Sequence, residues 1–574
     1  MNMINIKINN SDYQVKPGLT ILEAAQEHGI KIPTLCHYPD LKINSDCRIC
    51  SIEVKGKKNL LTACSTPVVE GMEIKTHSTK VLNARKTITE LILTNHETNC
   101  TQCARNMNCE LQSLSNQLGI DENRFEYRLV SQPKDTFNPS ITRNPDLCIK
   151  CGRCIDVCKD VQDLTVLENF GRSHEVLVVP KYGKYLSDED CTLCGQCSSV
   201  CPVAAITEND ETEKVWTALN DESKHVIVQV APSVRVSMGE EFGAEAGQAW
   251  TGQIVTALRY LGFDQVFDTD FTADLTILEE GNELLHRVHN GGTLPMMTSC
   301  CPGWVNFMEI EYPEMLDHLS TSKSPQQMFG AIAKTYYAQL KGLDPKDIYV
   351  VSVMPCTAKK YEAKREEMQS NEGIFDVDVV LTARELGKMV RQMGIDFLTL
   401  EEQEFDNPFG ITTGAAAIFG ATGGVMEAAL RTVYEVVNEK PLEDLNFKSV
   451  RGMEGIKEAE VELKGLGKVK VAVAHTLKNA RKVVEQMKAG ESPYAFIEIM
   501  ACPGGCIGGG GQPYNTTNAK REKRIEATYN VDEAMILRKS HENPYVHKLY
   551  EDFLVKPLGE KSHQYLHTHY KARN

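Results

Sequence analysis

Twenty cysteines in 574 residues are the part of this sequence that could do chemistry, and their spacing says which chemistry. Cys148, Cys151, Cys154 and Cys158 form C-x2-C-x2-C-x3-C; Cys191, Cys194, Cys197 and Cys201 repeat it, and Pro202 closes the second copy. Paired runs of this kind bind two 4Fe-4S cubanes, each run sending its fourth cysteine across to the other's cluster. One cubane is therefore expected on Cys148, Cys151, Cys154 and Cys201, and the other on Cys191, Cys194, Cys197 and Cys158. Zinc ribbons set paired C-x2-C knuckles well apart, so zinc suits these runs poorly.

Upstream, Cys36, Cys47, Cys50 and Cys64 give C-x10-C-x2-C-x13-C. Four thiolates on loops suit zinc or a 2Fe-2S cluster, and the spacing is not the plant-type C-x4-C-x2-C. Cys100, Cys103 and Cys109 leave one corner of a cubane open, and His96, four residues before Cys100, is within reach of it. The plainer reading is a surface histidine beside a zinc knuckle. Fifteen cysteines are then placed, and Cys300, Cys301, Cys356, Cys502 and Cys506 remain, one more than a cubane uses. Cys300 and Cys301 are neighbours in TSCCPGW at 298–304. Successive side chains diverge, so the two thiols cannot serve one metal in the same way.

These groups need elements to hold them. IKINN, SDYQVKP and LTILEAAQEHGI read as a hairpin, a turn at Pro17-Gly18 and an amphipathic helix, followed by cysteine-bearing loops and the strand-like SIEVKG. KVLNARKTITELILTNH reads as a helix leading into His96. From about residue 210, HVIVQVAPSV, KDIYVVSVMPC, FDVDVVLT, VKVAVAHT and AFIEIMACP are short β-branched apolar runs between helical stretches, the pattern of buried parallel strands in an α/β domain. Ligands sit where such strands end, and Cys356, Cys502 and Cys506 fall there. TADLTILEEGNELLHRVHN has apolar residues at 275, 278, 284, 285 and 288, so an amphipathic helix would put Glu280, Glu283 and Arg287 on one stripe. By pattern alone an exposed Glu-Arg face is the plainer reading.

Composition bounds the rest. The length calls for several domains. A net charge of -16, from 62 basic and 78 acidic residues, argues against nucleic acid or an anionic membrane as partner. No run approaches 18 uninterrupted apolar residues, and MNMINIKINN lacks the basic and apolar regions of a signal peptide. A soluble cytoplasmic protein is expected, its thiols ligating metal rather than forming disulfides.

TSCCPGW at 298–304, MPCTAKKYEA at 354–363 and MACPGGCIGGGGQP at 500–513 resemble the three signature motifs of iron-only (FeFe) hydrogenases. Over essentially its full length the chain is similar to the large monomeric clostridial type with four accessory clusters. The fold class this implies is multidomain, α+β and α/β: a β-grasp 2Fe-2S domain at 1–80; a 4Fe-4S module ligated by His96 and three cysteines at 81–126; a two-cluster ferredoxin-like domain at 127–210; and an α/β catalytic domain at 211–574. From about 520, KREKR and the helical DEAMILRKSHENPYVHKLYEDFL resemble a piece that other members carry as a small subunit. The implied cofactors are one 2Fe-2S cluster, three accessory 4Fe-4S clusters and an H-cluster. The H-cluster joins a 4Fe-4S cubane to a di-iron unit bearing carbon monoxide, cyanide and an azadithiolate bridge. The implied reaction is reversible reduction of protons to dihydrogen with electrons from ferredoxin or flavodoxin, after maturation proteins insert the di-iron unit.

Carried over residue by residue, the resemblance places the H-cluster cubane on Cys301, Cys356, Cys502 and Cys506, with Cys506 bridging to the di-iron unit. Cys300 is then a proton relay, continued by Glu280, Ser320 and Glu283, with Arg287 near the outer end. A thiol, with an ordinary pKa of about 8.5, gives up and regains a proton cheaply. The structural alternatives for Cys300 are a strained vicinal disulfide with Cys301 or an inert packed thiol. Lys359 and Ser233 match donors to cyanide; Pro232, Gln326, Met354, Phe419 and Met500 match the rest of the pocket, although the last three would otherwise read as core. The glycines of CIGGGG fit close backbone approach better than a phosphate nest, because no strand, Lys and Ser/Thr follow in P-loop order. The rivals are a subunit of an electron-bifurcating or sensory hydrogenase, disfavoured by the lack of an appended sensor or flavin/NAD site, and a non-catalytic iron-sulfur electron-transfer or assembly protein, which would be expected to lose Cys300, Lys359 or the glutamates.

Overall fold

The computed structural model describes residues 3–181 and 185–573. Near the N-terminus, strands β1 (Ile4–Ile8), β2 (Ser11–Val15), β3 (Ser51–Val54), β4 (Leu61–Thr62) and β5 (Glu73–Lys75) form one sheet in the order β2-β1-β5-β3-β4. The helix Ile21–Glu27 starts at Thr20, whose side chain accepts from Glu23 N while the Glu23 carboxylate accepts from Thr20 N, a reciprocal capping box. Its buried face of Ile21, Leu22, Ala24 and Ala25 packs on Ile6, Ile8, Val15 and Ile74 of the sheet. The remaining polar face stays in water, and the loops between β2 and β5 are left to carry the thiols. The helix Thr79–Leu93 then leads to His96, and Cys109 caps the helix Glu110–Gln117.

The region of the paired cysteine runs contains β6 (Ile141–Arg143), a hairpin of β7 (Leu167–Phe170) and β8 (Leu177–Pro180), and β9 (Ile206–Glu208), which pairs antiparallel with β6. The two runs repeat one local geometry. In each, Gly152 or Gly195 takes a positive φ (79° and 70°) and opens a short helix, Arg153–Asp156 or Gln196–Ser199. A Cβ at Gly195 would collide with Thr357 of the next domain, so this left-handed glycine also permits the closest approach between the two regions. The Arg153 guanidinium, almost fully buried, donates to Glu110 (2.8 Å), His37 O (2.8 Å) and Val200 O (3.3 Å). One side chain thereby ties the three N-terminal regions together.

The region from about residue 210 is built on two sheets. β10 (His225–Val230), β11 (Gln265–Asp268), β13 (Ile348–Met354) and β14 (Val379–Thr382) form a parallel sheet in the order β11-β10-β13-β14. β12 (Met296–Met297), β15 (Ile456–Leu463), β16 (Gly467–His475) and β17 (Phe496–Met500) form the other, ordered β12-β17-β16-β15. All five apolar runs named above are strands, but the second sheet is not parallel throughout. β15 pairs antiparallel with β16, and its IKEAEVEL alternates polar and buried positions because it is an edge strand with one wet face. The expected long C-terminal helix is also divided. Asn518–Ala534 holds KREKR, and shorter segments at Pro544–Leu549 and Tyr550–Leu554 follow, Pro544 opening the first of them. The last residues run as a strap against the catalytic region, where Lys323 N donates to Leu566 O, Thr568 N to Thr321 O, and Arg573 N to Glu309 O.

Candidate active site and metal centres

Chain segments leaving the C-terminal ends of β10, β12, β13 and β17 converge on one cavity. Cys301, Cys356, Cys502 and Cys506 line it, and so do Cys300, Pro232, Ser233, Gln326, Met354, Lys359, Phe419 and Met500. Cys301 precedes Pro302 at the start of the helix Pro302–Glu311 and accepts from Ala501 N (3.4 Å), which fixes it beside the β17 loop. All the thiols are free, so Cys300 and Cys301 form no vicinal disulfide.

Lys359 is buried, and its ammonium donates to Glu362 (2.8 Å) and to Cys300 O (3.1 Å). Burial works against that charge, but Glu362 outweighs it and holds the pKa above that of an ordinary lysine. Glu362 also accepts from Ser324 Oγ (2.9 Å) and Gln326 Nε2 (3.1 Å). This organising carboxylate escaped the sequence reading, although its three-residue spacing from Lys359 in AKKYE was a usable signal. Ser233 Oγ and Gln326 Oε1 are buried without a hydrogen-bond partner. Orphaned polar atoms around four thiols and a buried cation suit a bulky metal cofactor with polar ligands of its own. The glycines of CIGGGG do two jobs. Gly509 lines the cavity, as does Gly505 just before Cys506, but a Cβ at Gly509 would meet Pro355 O, and one at Gly510 would meet Cys194 O. Much of their close approach is thus to neighbouring backbone. His475, at the end of β16, was also missed; its Nδ1 accepts from Gly504 N (3.3 Å), and burial lowers its pKa to about 4, keeping that nitrogen free to accept.

The helix Asp270–Asn290 does not present an exposed Glu-Arg face. Glu280 is 2% and Glu283 7% exposed, because that stripe packs under the loop 319–322. Glu283 accepts from Ser320 Oγ (2.8 Å), from Thr321 N (3.1 Å to each oxygen) and from Arg287 (2.6 Å). Arg287 is itself anchored to Leu319 O and Asp317 O. Glu280 has no hydrogen-bond partner of its own. Burial, assisted by the charge of Glu283, lifts its pKa to about 8 against the weaker pull of Ser320 and Ser299. Ser299 in turn donates to Ser322 O (2.7 Å), tying TSCC to the loop that carries Ser320. Burial also pushes the Cys300 thiol well up, with Glu280 as the largest charged contributor.

Three further cavities sort the remaining ligands. Cys148, Cys151, Cys154 and Cys201 line one, and Cys158, Cys191, Cys194 and Cys197 another, so each fourth cysteine does lie with the opposite run. His96, Cys100, Cys103 and Cys109 share a third with Val203 and Ala204. Burial lowers the His96 pKa to about 4, and its Nδ1 has no partner, leaving a neutral imidazole of the kind that binds metal. Near the N-terminus, Cys50 and Cys64 sulfurs lie 3.3 Å apart, and Cys47 Sγ accepts from Cys36 N (3.4 Å).

The sites adjoin in series. Arg105 donates to Cys201 O (2.9 Å), Arg153 links His37 to Val200, and Thr357, next to Cys356, donates to Leu193 O (2.8 Å). Outside these sites, Glu435, His541 and Glu542 also gather, but the Lys539 ammonium pairs with both carboxylates (3.0 and 2.6 Å) and takes the place a cation would have.

Comparison with known proteins gives a consistent result. The family described as iron only hydrogenase large subunit, C-terminal domain, matches residues 224–510, and iron hydrogenase small subunit matches 518–573. The 2Fe-2S iron-sulfur cluster binding domain matches 1–79, the NADH-ubiquinone oxidoreductase-G iron-sulfur binding region 85–124, and the 4Fe-4S dicluster domain 147–205. The chain is 50% identical to the NADP-reducing hydrogenase subunit HndD of Solidesulfovibrio fructosivorans, over 100% of both chains. It is 42% identical to iron hydrogenase 1 of Clostridium pasteurianum, covering 99% of this chain and 100% of that one. Among solved structures, a single-residue variant of [FeFe]-hydrogenase HydA1 from Chlamydomonas reinhardtii is 44% identical with a TM-score of 0.58, over 63% of this chain and 99% of that one.

Proposed function

The chain belongs to the iron-only (FeFe) hydrogenases, and from that premise we propose how its residues divide the work of making dihydrogen from protons and electrons. The observation that carries the reading is the convergence on one cavity of four thiols, a fifth thiol backed by a glutamate chain, and a buried Lys359–Glu362 pair. Cys301, Cys356, Cys502 and Cys506 would hold the H-cluster through its 4Fe-4S part, with Cys506 as the ligand nearest the di-iron unit. When bound, the H-cluster supplies the iron at which protons and electrons combine. Lys359, Ser233 and Gln326 orient its polar ligands, and Pro232, Met354, Phe419 and Met500 shape the walls.

Protons travel from Glu283, beside Arg287 at the outer end, through Ser320 and Glu280 to Cys300. Glu280, with a pKa of about 8, is protonated at neutral pH but close enough to release its proton, the condition for an efficient relay. Cys36, Cys47, Cys50 and Cys64 would hold one 2Fe-2S cluster, and the other cysteine sets three accessory 4Fe-4S clusters, with Cys158, Cys191, Cys194 and Cys197 holding the one nearest the cavity; when bound, these groups would supply its electrons. The order of adjoining sites and the strand order β2-β1-β5-β3-β4 support a β-grasp domain at 1–80, a His/Cys module at 81–126, a ferredoxin-like domain at 127–210 and a catalytic domain at 211–574.

Lys359→Met tests the pocket. It removes the donor and strands Glu362, so retention of the di-iron unit is expected to fall by about 10- to 100-fold, read as iron per chain after maturation.

For the electron partner we favour reduced ferredoxin or flavodoxin, acting on a cytoplasmic monomer. Among the described residues no helix is long and apolar enough to cross a membrane. The match to HndD over the whole of both chains supports a second reading, the hydrogen-activating subunit of an NADP-reducing complex. Hydrogen evolution by the chain alone with reduced ferredoxin separates them. The first reading expects turnover that slows as salt screens a local docking contact; absence of turnover until further subunits and NADPH are supplied favours the second.

A further inference from the structure

The loop that presents Ser320 and Thr321 to Glu283 is held from its far side by the C-terminal strap. Lys323 N donates to Leu566 O (2.7 Å), Thr568 N donates to Thr321 O (2.7 Å), and Ser322 lies opposite His567 in a short antiparallel bridge. Between these backbone bonds the His567 ring, almost wholly buried, spans two side chains. Its Nδ1 lies 2.8 Å from Thr321 Oγ1 and its Nε2 3.1 Å from Glu279 Oε2. Glu279 also accepts from Tyr550 OH (2.6 Å) and Leu558 N (2.9 Å). Burial opposes ionisation of Glu279, but the His567, Tyr550 and Leu558 donors prevail and hold its pKa below the usual carboxylate value.

Glu279 and Glu280 therefore differ sharply although they are neighbours in the chain. Consecutive helical residues point in different directions, so one meets three donors from the strap region and stays charged, whereas the other feels only the weaker pull of Ser320 and Ser299 and stays protonated. With Nε2–H donated to the Glu279 carboxylate, a neutral His567 ring leaves Nδ1 to accept from the Thr321 hydroxyl. Thr321 is the residue whose N–H reaches both oxygens of Glu283, one position after the hydroxyl of Ser320.

We infer that His567 is a positioning residue of the proton path: anchored on Glu279, it locks Thr321 and thereby aims the two donors that orient Glu283. The inference rests on the reading of Glu283 as a member of that path. It gives the small-subunit-like segment a part in catalysis, since the strap completes the path from outside.

Three substitutions at position 567 test this in the fully loaded enzyme, with dye-driven hydrogen evolution as one readout. His567→Ala is expected to lower kcat by about 10- to 100-fold, the scale of a misplacement of about 1 Å. His567→Asn, whose amide falls near the Nδ1 position, should recover most of the loss. His567→Gln, whose amide falls near Nε2, should restore the Glu279 bond alone and recover little. Thr321→Val keeps the shape and the backbone N–H, breaks only the Nδ1 bond, and should reproduce the alanine variant, which decides the matter if His567→Ala fails to fold. The second readout is deuterium uptake at 319–323, measured before and after the di-iron unit is inserted; it should rise in His567→Ala in both states. Unchanged uptake, or equal recovery by asparagine and glutamine, overturns the inference. If Cys300→Ser itself retains full turnover, the proton path is misassigned; if Cys300→Ser fails while His567→Ala is silent, only the role of the strap falls.

Discussion

Cys300→Ser is expected to lower hydrogen turnover by about 10²- to 10⁴-fold, the usual contribution of a positioned proton donor, while leaving the iron content of the chain unchanged. The argument is one of acidity and position. The thiol lines the cavity and has Glu280 as its largest charged neighbour, so it lies between the cavity and the buried carboxyl of the path that lacks a hydrogen-bond partner. Burial already pushes the thiol well up; a serine hydroxyl, far less acidic to begin with, could not be deprotonated there at all. Cys300→Asp restores an exchangeable proton and should keep part of the rate. The measurement is paired, with iron per chain and turnover from the same preparation. Loss of iron in step with activity would assign Cys300 to the cluster instead.

Glu280→Gln should have an effect of similar size on turnover and the opposite effect on stability. The buried carboxyl titrates at about 8, against 4.5 for an ordinary glutamate. Below pH 4.5 both folded and unfolded chains carry its proton. Between pH 4.5 and 8 the folded chain keeps a proton that the unfolded chain has released, so its contribution to stability is lost steadily as pH rises. Above pH 8 the loss is complete, on the order of 5 kcal/mol for a fully desolvated group. Glutamine cannot ionise, so the variant should melt progressively higher than the parent as pH is raised from about 5 to about 8, even as it stops passing protons. A parallel pH dependence of melting in the two proteins would show that Glu280 is not held protonated.

The parts of this molecule that were legible in its sequence are those where chemistry is local. Cysteines two or three residues apart sit on successive turns around one cluster, so spacing alone placed Cys158 with Cys191, Cys194 and Cys197, the grouping found around one cavity. Buried strands such as IYVVSVM are continuous apolar runs because both faces are covered, and their ends located Cys356 and Cys502. What stayed hidden depends on partners distant in sequence. Nothing in LEEGNEL says that Glu279 faces Tyr550 and His567 while Glu280 faces Ser320, since both sets of partners lie on other elements. The burial of that helix face, and with it the raised pKa of Glu280 and Cys300, comes from the loop at 319–322 and the strap beyond it. Glu362 was hidden differently: its spacing from Lys359 allows a pair, but a surface-like AKKYE does not say that Lys359 is buried and needs a counter-charge.

The central claim is that two adjacent thiols have separate duties, Cys301 holding metal and Cys300 moving protons. Infrared spectra of the parent, Cys300→Ser and Cys301→Ser, each matured with the di-iron unit, test it most directly. The parent and Cys300→Ser should both show the bands of bound carbon monoxide and cyanide, and Cys301→Ser should show none. Loss of those bands in Cys300→Ser, or their persistence in Cys301→Ser, would contradict it.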